Sequence, residues 1–370
     1  MIRKRVMVCL LALMTVSSAS VQAKETTAVV EQTAAKDIRD YVENFVTKAY
    51  EPYYKFNSIQ STVSDYVVKD NVLTANVNLS LSKTLKAQSV DELPYVKGLQ
   101  SQLNTLQASK SVSATDLQAS NQVLREKKSE LQEYIGTATE QNDTFRVTAK
   151  LVNGSVDLAS ANLEFLNYID YVPASNFIPE SEAAMVQNGQ EGLLEAVAES
   201  KASAAKTSAV APAAIKYNRI AARDYANKWT SEVAGGGYDT SKWNPKYAKH
   251  TENGGVDCAN YVSQAIFAGG IPTDTKWKPE STAWINTGYS SSIFGLKDYM
   301  VDKGYFYKTT KANAPAGGFI SYPTYSHVVF IVANDTVTMQ FSAHTNDRLK
   351  SSFAGFSSAY EFYYISAAYR

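Results

Sequence analysis

Apolar residues at Ile38, Tyr41, Val42, Phe45, Val46, Ala49 and Tyr50 recur every three or four positions, so the spacing predicts an amphipathic helix. The pattern then changes to alternation. Tyr66-Val67-Val68 leads through Lys69-Asp70-Asn71 into Leu73, Ala75, Val77, Leu79 and Leu81, a strand pair around a tight turn. A second alternating run, Phe145, Val147, Ala149 and Leu151, ends at Asn153-Gly154, the dipeptide that favours a type I′ hairpin turn. Between the pairs, residues 89–137 are rich in Leu, Gln, Lys and Glu and hold no Gly or Pro from Gly98 to Gly136, which reads as helix. The first part of the chain is therefore α+β: helix, hairpin, long helices, hairpin.

Residues 196–214 turn to Ala, Ser and Lys and end near Pro212, the composition of a linker. This divides the chain into an α+β N-terminal domain over 24–195 and a C-terminal domain over 215–370. The second domain carries the chemistry. It holds all three histidines (His250, His327, His344), all four tryptophans and Cys258, whereas the first has neither Cys nor His. From Asn253 to Gly270 the sequence reads as one helix with signals at both ends. Asp257 stands at its N-cap, Tyr261, Val262, Ala265 and Ile266 form its apolar face, and Gly269-Gly270 with Pro272 stop it. Downstream, Phe319–Tyr322, Ser326–Val332 and Thr336–Phe341 alternate or run apolar and predict consecutive strands, with His327 at the start of the second and His344 just past the third.

The first residues bear on location. Arg3-Lys4-Arg5, an apolar run from Val6 to Val16, and Val21-Gln22-Ala23 have the layout of a secretory signal peptide over residues 1–23. The run is shorter than the ~20 residues of a spanning helix, so the expected mature protein is exported, secreted or held at the cell envelope, with no membrane span. Cleavage would remove Cys9 and leave Cys258 as the sole thiol, with no internal disulfide. Lys plus Arg and Asp plus Glu are 36 each. That balance gives no basic surface of the kind a nucleic acid needs.

A cysteine in the first turn of a helix meets unpaired amides and the positive end of the helix dipole, which favour the thiolate. The amides at the Asp257–Cys258 end can also hydrogen-bond a developing oxyanion. His327 is the candidate base. Antiparallel strands bring the start of one beside the end of the next, so His344 can lie near His327 and orient it, with Asn346 as the alternative third member. The bland readings are a buried structural cysteine and a core histidine. Cys258, His327, His344 and Asp257 are also zinc-binding types, but zinc ligands come in close pairs, and these do not. No metal and no cofactor is expected. His250 reads as a surface-loop residue.

Gly254-Gly255-Val256-Asp257-Cys258-Ala259-Asn260-Tyr261-Val262-Ser263-Gln264, Ser326-His327-Val328-Val329 and Ser342-Ala343-His344-Thr345-Asn346-Asp347-Arg348 resemble an amidase domain family of bacterial envelope proteins. Tyr217–Ala226, Trp229 and Asn244-Pro245-Lys246-Tyr247 fit its opening helix and loop, so the resemblance covers about residues 217–365. That family is similar to the papain-like CHAP and NlpC groups of peptidoglycan hydrolases. The resemblance implies a papain-like fold, a catalytic helix packed on an antiparallel sheet. It implies Cys258 as nucleophile, His327 as base and His344 as third member, acting on amide bonds of cell-wall peptides. Two positions depart from the family pattern: Ala259 where threonine is usual, and Gly317-Gly318 where Gly-Asp is usual. They leave room for a second class of function, an inactive wall- or surface-binding module on the same fold. The first domain would then place the second on its substrate, on a partner or on the envelope.

Overall fold

A computed structural model describes residues 32–109, 111–207, 215–233, 236–251, 257–289, 292–354 and 360–370. The expected signal peptide, residues 208–214 of the expected linker, and the glycine pair Gly254-Gly255 lie outside the described residues.

The first helix, α1, spans residues 32–50 and buries Ile38, Val42, Val46 and Tyr50, the stripe its spacing predicts. These residues share a core with Leu73, Ala75, Val77, Phe145 and Val147 on a five-stranded antiparallel sheet of order β1-β2-β3-β4-β5. Its strands are β1 (Tyr54–Lys69), β2 (Val72–Leu85), β3 (Ala138–Val152), β4 (Ser155–Asn167) and β5 (Asp170–Pro173). The first hairpin turns at Asp70 and Asn71, both at positive φ, and the second at Asn153-Gly154, as the sequence predicts. The helical reading of 89–137 resolves into α2 (Pro94–Ala108) and α3 (Ala114–Leu131), each flanked by a short 3₁₀ turn.

Helix α4 (Glu182–Thr207) runs through much of the stretch expected to be a linker. Its Leu193, Ala196 and Val197 are buried, and Glu199 accepts from the Ala367 amide and the Arg370 guanidinium. Alanine and charged straight-chain residues are good helix formers. Here a tertiary anchor at the chain's C-terminus decides between helix and coil.

The second part is also α+β. A six-stranded antiparallel sheet has the order β10-β9-β8-β7-β11-β6. Its strands are β6 (Phe306–Thr309), β7 (Phe319–Tyr322), β8 (His327–Asn334), β9 (Met339–Ala343), β10 (Arg348–Ser352) and β11 (Glu361–Ile365). Helices α5 (Arg219–Lys228) and α6 (Cys258–Ala268) share the core of one face: Ala222, Ala226, Val262 and Ile266 join Phe319, Val328, Phe330 and Tyr363. Two short helices, α7 (Thr282–Ile285) and α8 (Leu296–Asp302), complete that side.

Every residue of β7, β8 and β9 is buried, so the opposite face is covered too. Part of the cover comes from the first half of the chain. Ala333, Val337 and Ala354 belong to the same apolar cluster as α1 and the five-stranded sheet, and Tyr168 joins Ile320, Tyr322, Val329 and Phe341. Polar contacts cross at the same places: Tyr54 donates to Asp335 at 2.6 Å, the Ser352 amide to Asp143 at 2.9 Å, and Lys127 to the Asn313 carbonyl at 2.9 Å. The two halves, expected as separate domains, thus bury apolar surface against each other. Among the described residues no helix is long and apolar enough to cross a membrane.

Candidate active site

Cys258 is the first residue of α6 and is 4 % exposed. Asp257 precedes it but does not cap the helix with its side chain, contrary to the reading from sequence. Its carboxylate is drawn elsewhere. One oxygen accepts from the His250 amide (3.0 Å) and the Asn260 side chain (2.8 Å), and the other meets His344 Nδ1 at 2.6 Å. The consequence is chemical. First-turn amides that a capping carboxylate would consume are left to the sulfur, which is favoured as its anion by the backbone amides of Val328, Ala259 and Cys258 itself. Burial nevertheless outweighs them and, with a smaller contribution from the Asp257 charge, pushes the thiol up to about 11. The thiolate expected from helix position alone is therefore not the resting form.

His327 opens β8, and the amide of its neighbour Val328 acts on the Cys258 sulfur, so helix start and strand start meet. The imidazole is 2 % exposed and held among aromatic rings: Tyr168 stacked at 3.7 Å between centroids, Tyr322 edge-on at 5.1 Å, and Tyr325 at 6.3 Å. Its Nε2 is buried without a hydrogen-bond partner. Burial pushes its pKa down to about 3, so the ring is neutral. A neutral imidazole with an unpartnered nitrogen can accept a proton, and the strand that carries it starts at the cysteine's helix start.

The strand order brings the end of β9 to the start of β8, with Ser342 opposite Phe330, as predicted. The His344 side chain, however, does not orient His327. Its Nδ1 faces Asp257 and its Nε2 lies 2.6 Å from the Trp229 carbonyl, while Trp243 (4.2 Å) and Tyr261 (4.1 Å) sandwich the ring. Both ring nitrogens are thus engaged, one by the Asp257 carboxylate and one by the Trp229 carbonyl. This buried pair ties the end of β9 to the start of α6. Asn346, the alternative, accepts from the Gly237 amide at 3.0 Å and hydrogen-bonds the Tyr168 hydroxyl, again away from His327. His250 is partly buried, its ring 3.4 Å from Glu280. Among the described residues, no three His, Cys, Asp or Glu side chains group as a metal would need.

Sequence reasoning missed Tyr168, which lies in the β4–β5 turn far upstream of the cysteine motif, where nothing in its neighbours marks it. The departures in the motif have structural reasons. At Gly318 a Cβ would stand 2.4 Å from the Tyr363 carbonyl, so β11 leaves no room for the usual Asp, and Ala259 is fully buried in the core under α6.

Residues 216–365 match the family model described as "Putative amidase domain". The match takes in α5, α6 and the whole six-stranded sheet, and the family's description points to amide hydrolysis. A stretch of 159 residues is 26 % identical to the uncharacterized protein YjcM of Bacillus subtilis (strain 168), covering 37 % of each chain. The alignment thus spans little more than a third of that relative. No solved structure matches the chain.

The buried imidazole makes stability depend on acid. Between pH 6.5 and about 3 the unfolded chain binds a proton that the folded His327 refuses, so stability is full above pH 6.5 and falls as pH drops toward 3. At roughly 1.4 kcal/mol per pH unit, the expected loss reaches several kcal/mol, read as a falling urea midpoint between pH 7 and 4. His327→Phe, a flat ring that takes no proton, should flatten that part of the profile.

Proposed function

We propose that the chain is an exported cysteine amidase or peptidase of papain-like type. The observation that carries this is the meeting of Cys258, at the N-terminus of α6, with the first residues of β8, where His327 holds a free imidazole nitrogen. In this reading His327 takes the thiol proton as Cys258 attacks an amide carbonyl, and the carbon–nitrogen bond lengthens as the carbon–sulfur bond forms. First-turn amides of α6 hold the negative oxygen, and the imidazolium returns its proton to the leaving amine. Water, activated by the same histidine, then cleaves the thioester and frees the acid. Asp257 and His344 fix the helix and take no proton in the cycle. The signal peptide expected over residues 1–23 and the family resemblance make peptidoglycan stem peptides or cross-bridges the proposed substrate.

The test is release of free amines from purified cell walls and from short peptides, run in chelator, with the Cys258 acyl-enzyme sought by mass spectrometry. Amine release with an acyl adduct on Cys258 supports the reading, and intact substrates throughout would sink it. Burial of both Cys258 and His327 favours a second reading, a binding module whose pair no longer turns over. That reading predicts wall binding unaffected by Cys258→Ala and no amine release.

A further inference from the structure

The ring of Tyr168 lies against His327. Cys258 and His327 are 4 % and 2 % exposed, too little for an amide to reach the sulfur. The ring stacked closest on the imidazole comes from the first half of the chain. The turn joining β4 to β5 carries Tyr168, whose ring lies flat on His327 at 3.7 Å and 15°. Its hydroxyl donates to the Thr345 carbonyl, and Thr345 Oγ1 in turn accepts the Asp257 amide at 2.9 Å. The same hydroxyl feels the charge that Cys258 carries as a thiolate. One side chain therefore touches the base, stands close to the nucleophile and bonds the segment that holds the nucleophile's helix.

The hairpin holds Tyr168 in place against its backbone. Tyr168 sits at φ +71°, a region that bulky L-residues avoid, so the inserted conformation is kept by the ring's burial and the hydroxyl bond, against the backbone's preference. Strand β5 is four residues long and lies at the sheet's edge, hydrogen-bonded to β4 alone. Ile169 beside it is 43 % exposed. Leaving would also cost Tyr168 its burial against Ile320, Tyr322, Val329 and Phe341, so the inserted form is the resting one.

We propose that the β4–β5 hairpin is an autoinhibitory plug, and that the domain hydrolyses amides only when Tyr168 has left the face of His327. The proposal rests on the cysteine-amidase reading above. It gives the first half of the chain a role that its sequence does not disclose: control of access to the thiol. Withdrawal would open a slot walled by Tyr322, Tyr325 and Tyr360, lined for the flat or apolar part of a peptide.

The experiment is the rate at which iodoacetamide alkylates Cys258 in the intact protein, followed on the Cys258 peptide by mass spectrometry. Tyr168→Gly removes the ring and suits the positive φ, whereas Tyr168→Phe keeps the ring. If the closed form exceeds nine molecules in ten, Tyr168→Gly speeds labelling by about tenfold or more and Tyr168→Phe changes it far less. Equal rates in the folded wild type and folded Tyr168→Gly overturn the plug. If Tyr168→Gly does not fold, wild type alone decides. A compact reagent outpacing a bulky one of matched reactivity supports the plug, and equal rates overturn it. Labelling reads access and needs no turnover, so it separates the two ideas. Faster labelling without amine release would leave the plug standing and remove the hydrolase. Amine release from a protein whose thiol was open throughout would do the reverse.

Discussion

Cys258→Ala is expected to lower kcat/KM for amide hydrolysis by about four orders of magnitude or more, with little change in stability. The side chain is small and buried at the end of a helix, so its loss removes one sulfur's packing and no hydrogen-bonded framework. Its chemical loss is complete, because no other residue beyond the expected signal peptide is a cysteine. His327→Ala should cost roughly 10²–10⁴-fold, the span that general acid–base catalysis supplies, and the double variant should be no slower than Cys258→Ala. That failure to add is the signature of one proton-transfer unit. The matched control is His344→Gln, whose parent residue faces Asp257 and Trp229. Any loss there should follow loss of fold. Retention of more than a tenth of the rate by Cys258→Ala would place the chemistry elsewhere.

Asp257→Ala should be the most damaging single change to the fold near the site, at about 3–5 kcal/mol. Removing the carboxylate leaves buried His344 Nδ1 without its partner between Trp243 and Tyr261, and frees the Asn260 side chain and the His250 amide together. The magnitude discriminates. A residue acting as a helix cap would cost about 1 kcal/mol on replacement, and the structure gives Asp257 no capping bond to lose. Asp257→Asn should fall between, because an amide keeps an acceptor for Asn260 and a second polar group facing His344 Nδ1. Urea midpoints for the three proteins at pH 7, followed by tryptophan fluorescence, provide the measurement. Equal midpoints for wild type and Asp257→Ala would mean that the pair contributes nothing to holding α6.

Much of this was legible in the chain. The spacing of Ile38, Val42, Val46 and Tyr50 fixes α1 and its buried stripe, and the turn chemistry of Asp70-Asn71 and Asn153-Gly154 places both long hairpins. The run of β7, β8 and β9 follows from short apolar segments, and with it the proximity of the His344 backbone to β8. Proximity of backbones does not give side-chain direction. That is why His344 read as an orienting residue and is found behind α6, held by acceptors at both ring nitrogens. Asp257 looked like a cap because an Asp before a helix usually is one. The competing claim of a buried histidine is set by a residue 87 positions away. The thiolate expected from the helix end depended on solvent that tertiary packing removes. Tyr168 carries no local mark at all, since its importance lies wholly in what the second sheet places beneath it.

The covered second face of the six-stranded sheet bears on descent. Residues 216–365 are the part with recognisable kin, yet Ala333, Val337 and Ala354 inside it are buried in a cluster built mainly by residues 34–197. Inheritance and folding therefore draw their borders in different places on this chain. A kindred domain arriving in another protein without this companion must carry other apolar cover for the same strands, or replace those residues with polar ones. Substitutions at Ala333, Val337 and Ala354 among relatives should follow the identity of the upstream segment more closely than the chemistry of the cysteine.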